Sequence, residues 1–335
     1  MQLVFEKIRF EISLIYEATG RIVRPGNLPI TKGVIVYNVE TAYNVAKALE
    51  GEKVIMKWLT VGGAVKEPKV LRVPLGTPVS ELLLSLGIQI PEGYAVVDGG
   101  PSMGKIINPE LSTVKKTTKG ILILPEDIQA IKAKKINAKM ATARAETACC
   151  QCTRCTDMCP RGLLGYPLMP HRMVRTAMGA AEVSPRMVLA ATLCCGCGIC
   201  ETLACCQGIS PKSVIANYKT LLAKNKMRYT ASEDVEVAAE REYRKVPSDR
   251  WMSALGVLRF DKMPEYIGER VEFSRLTLPL SQHIGAPSVP TVKAGDAVLR
   301  GETVAEAAEG LSVDLASPID GKVILADENK IIISR

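Results

Sequence analysis

The sequence predicts an α+β protein of several small domains, and three observations carry that prediction. All eleven cysteines of the 335-residue chain lie between Cys149 and Cys206. Upstream, short β-branched runs flank a capped helix and are broken at Gly62-Gly63 and Gly99-Gly100. Downstream of about Leu276, apolar runs are punctuated by Gly285, Gly295, Gly301, Gly310 and Gly321, the pattern of a small β module. A chain this long is usually two or three domains, and 47% hydrophobic residues suffice for their cores.

At the front, Ile8, Phe10, Ile12 and Leu14 alternate with Arg9, Glu11 and Ser13, which predicts a half-buried strand. Residues 33–37 are apolar and β-branched and predict another. Asn38 then caps a helix to about Leu49, closed by Gly51, with Ala42, Val45, Ala46 and Leu49 along one face. Residues 1–52 thus read as the end of a larger α/β unit. In the next module, residues 54–61 and 70–73 are expected strands, with Gly62-Gly63 breaking the first. Thr77 is expected to cap a helix with Pro78 in its first position and Gly87 at its end. Residues 94–97 return as a strand, and the whole of 53–124 reads as a β-grasp-like module whose glycines serve turns. Pro125 is expected to open a long helix toward Thr147, with Lys132, Lys134, Lys135, Lys139 and Arg144 on its exposed side.

The two cysteine groups share a grammar. The first reads Cys149-x2-Cys152-x2-Cys155-x3-Cys159-Pro160 and the second Cys194-x2-Cys197-x2-Cys200-x4-Cys205. The first is the run of bacterial ferredoxins, whose fourth cysteine ligates the other cluster of a pair. A cubane needs four converging thiolates. Three spaced by two residues wrap one loop around it, and the fourth comes from farther off. Thiolates also suit zinc, but zinc ribbons set their two Cys-x2-Cys pairs a dozen or more residues apart. Disulfide frameworks belong to small secreted domains. The doubled run therefore predicts two [4Fe–4S] clusters. In the ferredoxin pattern Cys149, Cys152 and Cys155 pair with Cys205, and Cys194, Cys197 and Cys200 pair with Cys159. Cys150, Cys195 and Cys206 are left over and are expected to pack nearby as small apolar residues. Arg161, His171, Arg172 and Arg175 fall between the runs, where positive charge raises cluster potential. Four thiolates per cluster leave His171 without a ligand's role.

Residues 125–228 thus form a helical, ferredoxin-like domain, with a helix from Pro211 to about Lys226. Residues 229–274, including the mixed-charge stretch 233–245, read as a charged linker. In residues 275–335, Val292-Lys293-Ala294-Gly295-Asp296 precedes Gly301-Glu302-Thr303, and Asp320-Gly321-Lys322 predicts a tight hairpin. This pattern resembles the barrel-sandwich hybrid of lipoyl and biotinyl carriers. No lysine lies between Lys293 and Lys322, so covalent lipoylation or biotinylation is not expected.

The net charge of +8 could suit DNA, anionic lipid or an acidic protein. No nucleic-acid motif accompanies it, and aromatics at 4% leave little for base stacking, so an acidic redox partner is favoured over nucleic acid. The apolar run 187–206 holds six cysteines and Glu201, which marks it as a cluster segment, and no transmembrane segment is predicted.

Four stretches resemble the RnfC/PduS family, and within it the PduS branch. They are residues 33–41 (Gly-Val-Ile-Val-Tyr-Asn-Val-Glu-Thr), the SLBB-like 59–65 (Leu-Thr-Val-Gly-Gly-Ala-Val), the two cysteine runs, and 282–287 (Gln-His-Ile-Gly-Ala-Pro). The resemblance implies an electron-transfer protein. It would relay single electrons through two clusters from a flavin/NADH donor to cobalamin, on a corrinoid enzyme, or to a membrane Rnf-type partner. It also implies a cytoplasmic location, in a microcompartment lumen or peripheral to the inner membrane, and work as one component of a reductase. Family members carry an upstream domain with a glycine-rich loop that binds FMN. Asn38 and Thr41 match a segment near that flavin. Here the turn reads Asn38-Val39-Glu40, without glycine and with a carboxylate where a phosphate would sit. FMN is therefore expected only with a partner or an upstream domain. The alternative is a ligand-binding or assembly module, its SLBB-like part contacting a ligand or shell protein while the clusters only support the fold.

Overall fold

The computed structural model describes residues 11–180, 184–231 and 233–335, in two compact units. One comprises residues up to Val36, Pro101–Met103 and Asp127–Arg259. The other comprises Tyr37–Gly100, Gly104–Glu126 and Phe260–Arg335.

The second unit contains the sheets. Met56–Gly63 (β1), Lys69–Pro74 (β2), Tyr94–Asp98 (β3), Lys105–Ile107 (β4), Gly120–Pro125 (β5) and Glu265–Glu269 (β6) form one sheet in the order β4-β3-β5-β1-β2-β6. The β1 and β2 strands pair antiparallel, with Leu59 opposite Leu71, while β5 runs parallel to β1 and antiparallel to β3. Leu59, Val61, Leu71, Val73, Ile121 and Ile123 are buried, as are Val79, Leu82 and Leu83 of the helix Val79–Ser85. The tail adds Arg275–Pro279 (β7), Val289–Pro290 (β8), Ala297–Val298 (β9), Thr303–Glu306 (β10), Leu315–Ala316 (β11), Gly321–Ala326 (β12) and Lys330–Ser334 (β13). These make a sheet β7-β13-β12-β9 and a smaller one β11-β10-β8. Leu276, Leu278, Val304, Ile331 and Ile333 join the same apolar core.

Several expectations need correction in this unit. Gly62-Gly63 does not break the first strand but ends it, paired with Leu122 and Ile123. Gly63 has φ +89, and a Cβ there would lie 2.3 Å from the Ile123 carbonyl oxygen. Thr77 does not cap the following helix. Its hydroxyl donates to the Pro74 carbonyl at 2.8 Å, and Pro78 occupies the cap position. Pro125 closes β5 instead of opening a helix. The tight turn of the tail lies at Asp327, whose carboxylate accepts from the Asn329 and Lys330 amides, whereas Gly321 begins β12.

The helix Val39–Leu49 forms as expected, and the Asn38 carboxamide accepts from the Glu40 amide at 3.1 Å. Its apolar face is not buried, however: Val45 is 53% and Leu49 86% exposed. Charge anchors it. The Glu40 carboxylate accepts from Lys57 Nζ and from the Trp58 amide, and the Lys57 side chain is only 4% exposed. Burial holds the Lys57 ammonium below its ordinary pKa, more than the bond from Glu40 raises it.

The first unit is helical. The helix Pro211–Lys224 starts on Ser210, whose hydroxyl accepts from the Ser213 amide, and buries Val214, Ile215 and Leu222. The helices Ala138–Ala148 and Pro170–Ala177 pack against it. Residues expected as one helix from Pro125 form two, Gln129–Lys134 and Ala138–Ala148, the second capped by Asn137. Lys132, Lys135, Lys139 and Arg144 are exposed, and Lys134 is half-buried. The expected first strand falls partly on residues 1–10, outside the described residues. Ile12 and Leu14 lie in the helix Glu11–Thr19, which buries Ile12 and Ile15. Residues 34–36 are irregular and not a strand, although Val34 and Val36 pack on the core.

Residues 229–274 are not a linker. Tyr229 is buried, and buried Arg241 pairs with Glu17 and lies over the Tyr16 ring at 4.8 Å. The helix Ser248–Leu255 follows, and β6 joins the second unit's sheet.

Glu40→Ala is expected to lower the stability of the second unit by about 3 kcal/mol, because it strands a buried ammonium. Replacing both partners, Glu40→Leu with Lys57→Met, is expected to restore the urea midpoint. An unchanged midpoint for Glu40→Ala would show that the pair does not anchor the helix.

Candidate metal centre

Each cysteine run begins as a loop that turns its thiols inward. In the first, Gln151 and Thr153 have φ +54 and +58. In the second, Gly196 and Gly198 occupy the corresponding positions, with φ +72 and +79. Both loops therefore use left-handed backbone on either side of their second ligand-type cysteine. Glycine adopts it freely. Gln151 and the β-branched Thr153 adopt it at a cost.

The thiols gather in two cavities. One is lined by Cys149, Cys152, Cys155 and Cys205, together with Cys150, Cys206 and His171. The other is lined by Cys159, Cys194, Cys197 and Cys200, together with Cys195, Arg161 and Lys212. Thus the last cysteine of each run lies with the first three of the other. Burial first, then charge repulsion from Cys205, Cys152 and Cys149, pushes the Cys155 thiol up to about 12. Burial likewise pushes Cys159 up to about 12, against backbone donors from Gly162 and Arg161. Cys200 is driven well up by burial and then by Cys194, Glu201, Cys159 and Cys155, so it lies within electrostatic reach of thiols from both cavities.

Backbone amides aim at sulfur. The Gly196 amide donates to Cys194 Sγ at 3.3 Å. Cys205 receives the amides of Gln207 and Ile209, which pull its thiol down while burial pushes it up more strongly. Such donors favour thiolate and tune any metal held by it.

Positive charge is concentrated at the second cavity. Arg161 lies over the Tyr166 ring at 5.4 Å, and its buried Nε and Nη1 have no hydrogen-bond partner. Lys219 Nζ donates to the Cys194 carbonyl at 2.8 Å. Lys212 Nζ bonds the buried carboxylate of Glu201 at 2.9 Å, which also accepts from the Ser210 hydroxyl. The Ser102 hydroxyl donates to the Cys197 carbonyl, while its own carbonyl accepts from Lys134 at 2.8 Å and Lys212 at 3.3 Å. Burial, then the Lys212 charge, holds Lys134 down to about 8. The first cavity has His171 instead. Its Nδ1 lies 2.7 Å from the Thr156 hydroxyl, and burial with Arg172 and Arg175 lowers its pKa.

Sequence reasoning missed Glu201, Ser102, Lys212 and Lys219. A glutamate directly after Cys200 in an apolar run was a readable hint; Ser102, remote in sequence, offered none. Cys150 and Cys206 are exposed and so do not pack as apolar residues, while Cys195 is half-buried on the second cavity. Asn38 spends its carboxamide on the helix cap, and Thr41 is exposed.

The donor sets suit iron–sulfur clusters: at least four thiols in each cavity, amides directed at sulfur, and, at the second, unpartnered Arg161 donors beside an anionic group's position.

Comparison with known proteins agrees. A 4Fe-4S dicluster domain matches residues 148–210, an SLBB domain 59–105 and an RnfC barrel sandwich hybrid domain 265–333. The chain is 36% identical to "Cobalamin reductase PduS" of Salmonella typhimurium over 97% of its own length and 72% of that protein. It is also 36% identical to the protein of that name from Citrobacter freundii, over the same shares. A component of the ion-translocating oxidoreductase complex of Rhodobacter capsulatus is 35% identical over 52% of this chain and 31% of its own length. Among the described residues no helix is long and apolar enough to cross a membrane.

Gly198→Ala is expected to destabilise the metal-loaded protein by roughly 1–2 kcal/mol, the cost of a Cβ in left-handed backbone. Thr153→Gly is expected to leave its stability unchanged or raised. Thermal unfolding of the two variants against the parent checks both, and a melting temperature unchanged by Gly198→Ala would refute the loop argument.

Proposed function

This chain belongs to the RnfC/PduS family, and from that we propose that it relays single electrons from a flavin-bearing donor to an acceptor such as a corrinoid or an Rnf-type membrane partner. The observation that carries the proposal is the sorting of cysteines from both runs into two thiol-lined cavities within one unit. Cys149, Cys152, Cys155 and Cys205 would hold one [4Fe–4S] cluster, and Cys194, Cys197, Cys200 and Cys159 the other. When bound, the two clusters supply one-electron transfer.

The chain's own residues set the conditions. Converging thiols and backbone amides stabilise the bound anion. Arg161, Lys212 and Lys219 place positive charge at the second cavity, whereas at the first burial, then Arg172 and Arg175, disfavour the charged form of His171. The second cavity therefore favours the added electron more than the first does. The flavin is assigned to a partner or a further domain, with Asn38 and Thr41 at most at its edge. The same proposal locates the chain in the cytoplasm, in a microcompartment or at the membrane face, with an acidic redox partner meeting the exposed lysines of the segment 132–139.

Anaerobically loaded protein is expected to hold about eight iron and about eight acid-labile sulfide, as two cubanes require. Its visible absorption is expected to bleach reversibly with dithionite. Cys159→Ser is expected to damage the centre built mainly on the second run. Stoichiometric zinc without sulfide, or clusters that cannot be cycled, would sink the electron-transfer reading.

Arg161→Gln is expected to move one of two midpoint potentials negative by tens of millivolts and leave the other in place. A potentiometric titration followed by paramagnetic resonance reads both. Equal shifts in the two would show that the charge is not local to one cavity.

A further inference from the structure

Three of the cysteines have no place in either group of four; Cys195 is half-buried on the second cavity, and the other two lie at the first. Cys150 follows Cys149 and Cys206 follows Cys205, yet both side chains are exposed. Their Sγ atoms, with that of Cys152, all lie within 4.8 Å of one another. Segments far apart in sequence thus bring two spare thiols together at the rim of the first cavity. Thiols this close need side-chain rotation to reach the disulfide length of about 2.05 Å, and both side chains are exposed. With Cys152 occupied as a ligand, a point at which this inference rests on the function proposed above, two thiols remain. That is short of the four ligands of a structural zinc site.

We propose that Cys150 and Cys206 form a reversible dithiol–disulfide site that takes low-molecular-weight disulfides as its oxidant. One cysteine, as thiolate, attacks a sulfur of the small disulfide and displaces one small thiolate. The second, also as thiolate, attacks the resulting mixed disulfide and displaces the other. One intrachain S–S bond forms and one small-molecule S–S bond is reduced. The two electrons, with the two protons lost by the cysteines, end on two small thiols. The bond ties the Cys149–Cys155 loop to the segment at Cys205 across the rim of the cavity.

The test uses iron-loaded protein, oxidised glutathione, alkylation of remaining thiols and peptide mass spectrometry. The parent is expected to lose two alkylatable thiols, retain no glutathione, yield a linked Cys150–Cys206 peptide, and recover both thiols with dithiothreitol. Cys150→Ser is expected to keep its iron and to retain glutathione on Cys206. Glutathione retained on both cysteines of the parent, a link through Cys152, or iron loss in Cys150→Ser would each overturn the proposal. Iron content of the parent, measured first, reports on the ligand assignment alone, and the linked peptide reports on the dithiol.

Discussion

Crowding of buried thiols is the constraint on which the first unit depends. Metal binding needs thiolates, yet burial and mutual repulsion drive Cys155 and Cys159 up to about 12. Four thiolates in such a cavity are unstable without cationic compensation. A bound metal centre supplies it, so loading displaces protons and binding energy becomes folding energy. The surrounding structure lowers the same cost locally. The left-handed turns direct thiols inward, and amides at Cys194 and Cys205 act as fixed partial positive charges on sulfur.

The two cavities are built differently despite their shared grammar. The second is closed by a buried polar network through Glu201, Ser210, Lys212, Ser102 and Lys134. A buried carboxylate is tolerated there because a lysine and a hydroxyl satisfy it. That network fixes the loop at Cys197 through the Ser102 hydroxyl and leaves positive charge beside the cavity. The first has no cationic lining among its residues, and Cys152 is exposed at it. One site is thus a charge-compensated enclosure and the other a more open one.

The metal-centre candidates were legible because cysteine spacing is a local code. So were β2, β3 and the Asn38-capped helix, which rest on short-range periodicity and capping. What was not legible depends on partners distant in sequence. Alternating apolar residues from Ile8 to Leu14 do not by themselves separate a strand from a helix, and from Glu11 onward burial of Ile12 and Ile15 decided for the helix. Pro125 suits a helix start and a strand end equally; pairing of β5 with β1 and β3 settled it. The charge-rich stretch around Arg241 looked solvated, but half-buried Glu17 and the Tyr16 ring partner buried Arg241 from the other end of the chain. The left-handed positions were half visible: the Gly-Cys-Gly at 196–198 announces them, and Gln151 and Thr153 conceal them.

The turn before Val39 holds its carboxylate differently from the way the sequence suggests. Glu40 was expected to repel a phosphate by its charge. In the structure that charge is paired with Lys57 and turned toward the sheet, so it is largely neutralised locally. A helix N-terminus binds an anion through free amides. Here the Glu40 amide already donates to Asn38 Oδ1, an uncharged acceptor placed by an extended residue with φ −72 and ψ 144. A phosphate at that one amide would have to displace the carboxamide. The Asn38 carboxamide is therefore spent on the helix cap.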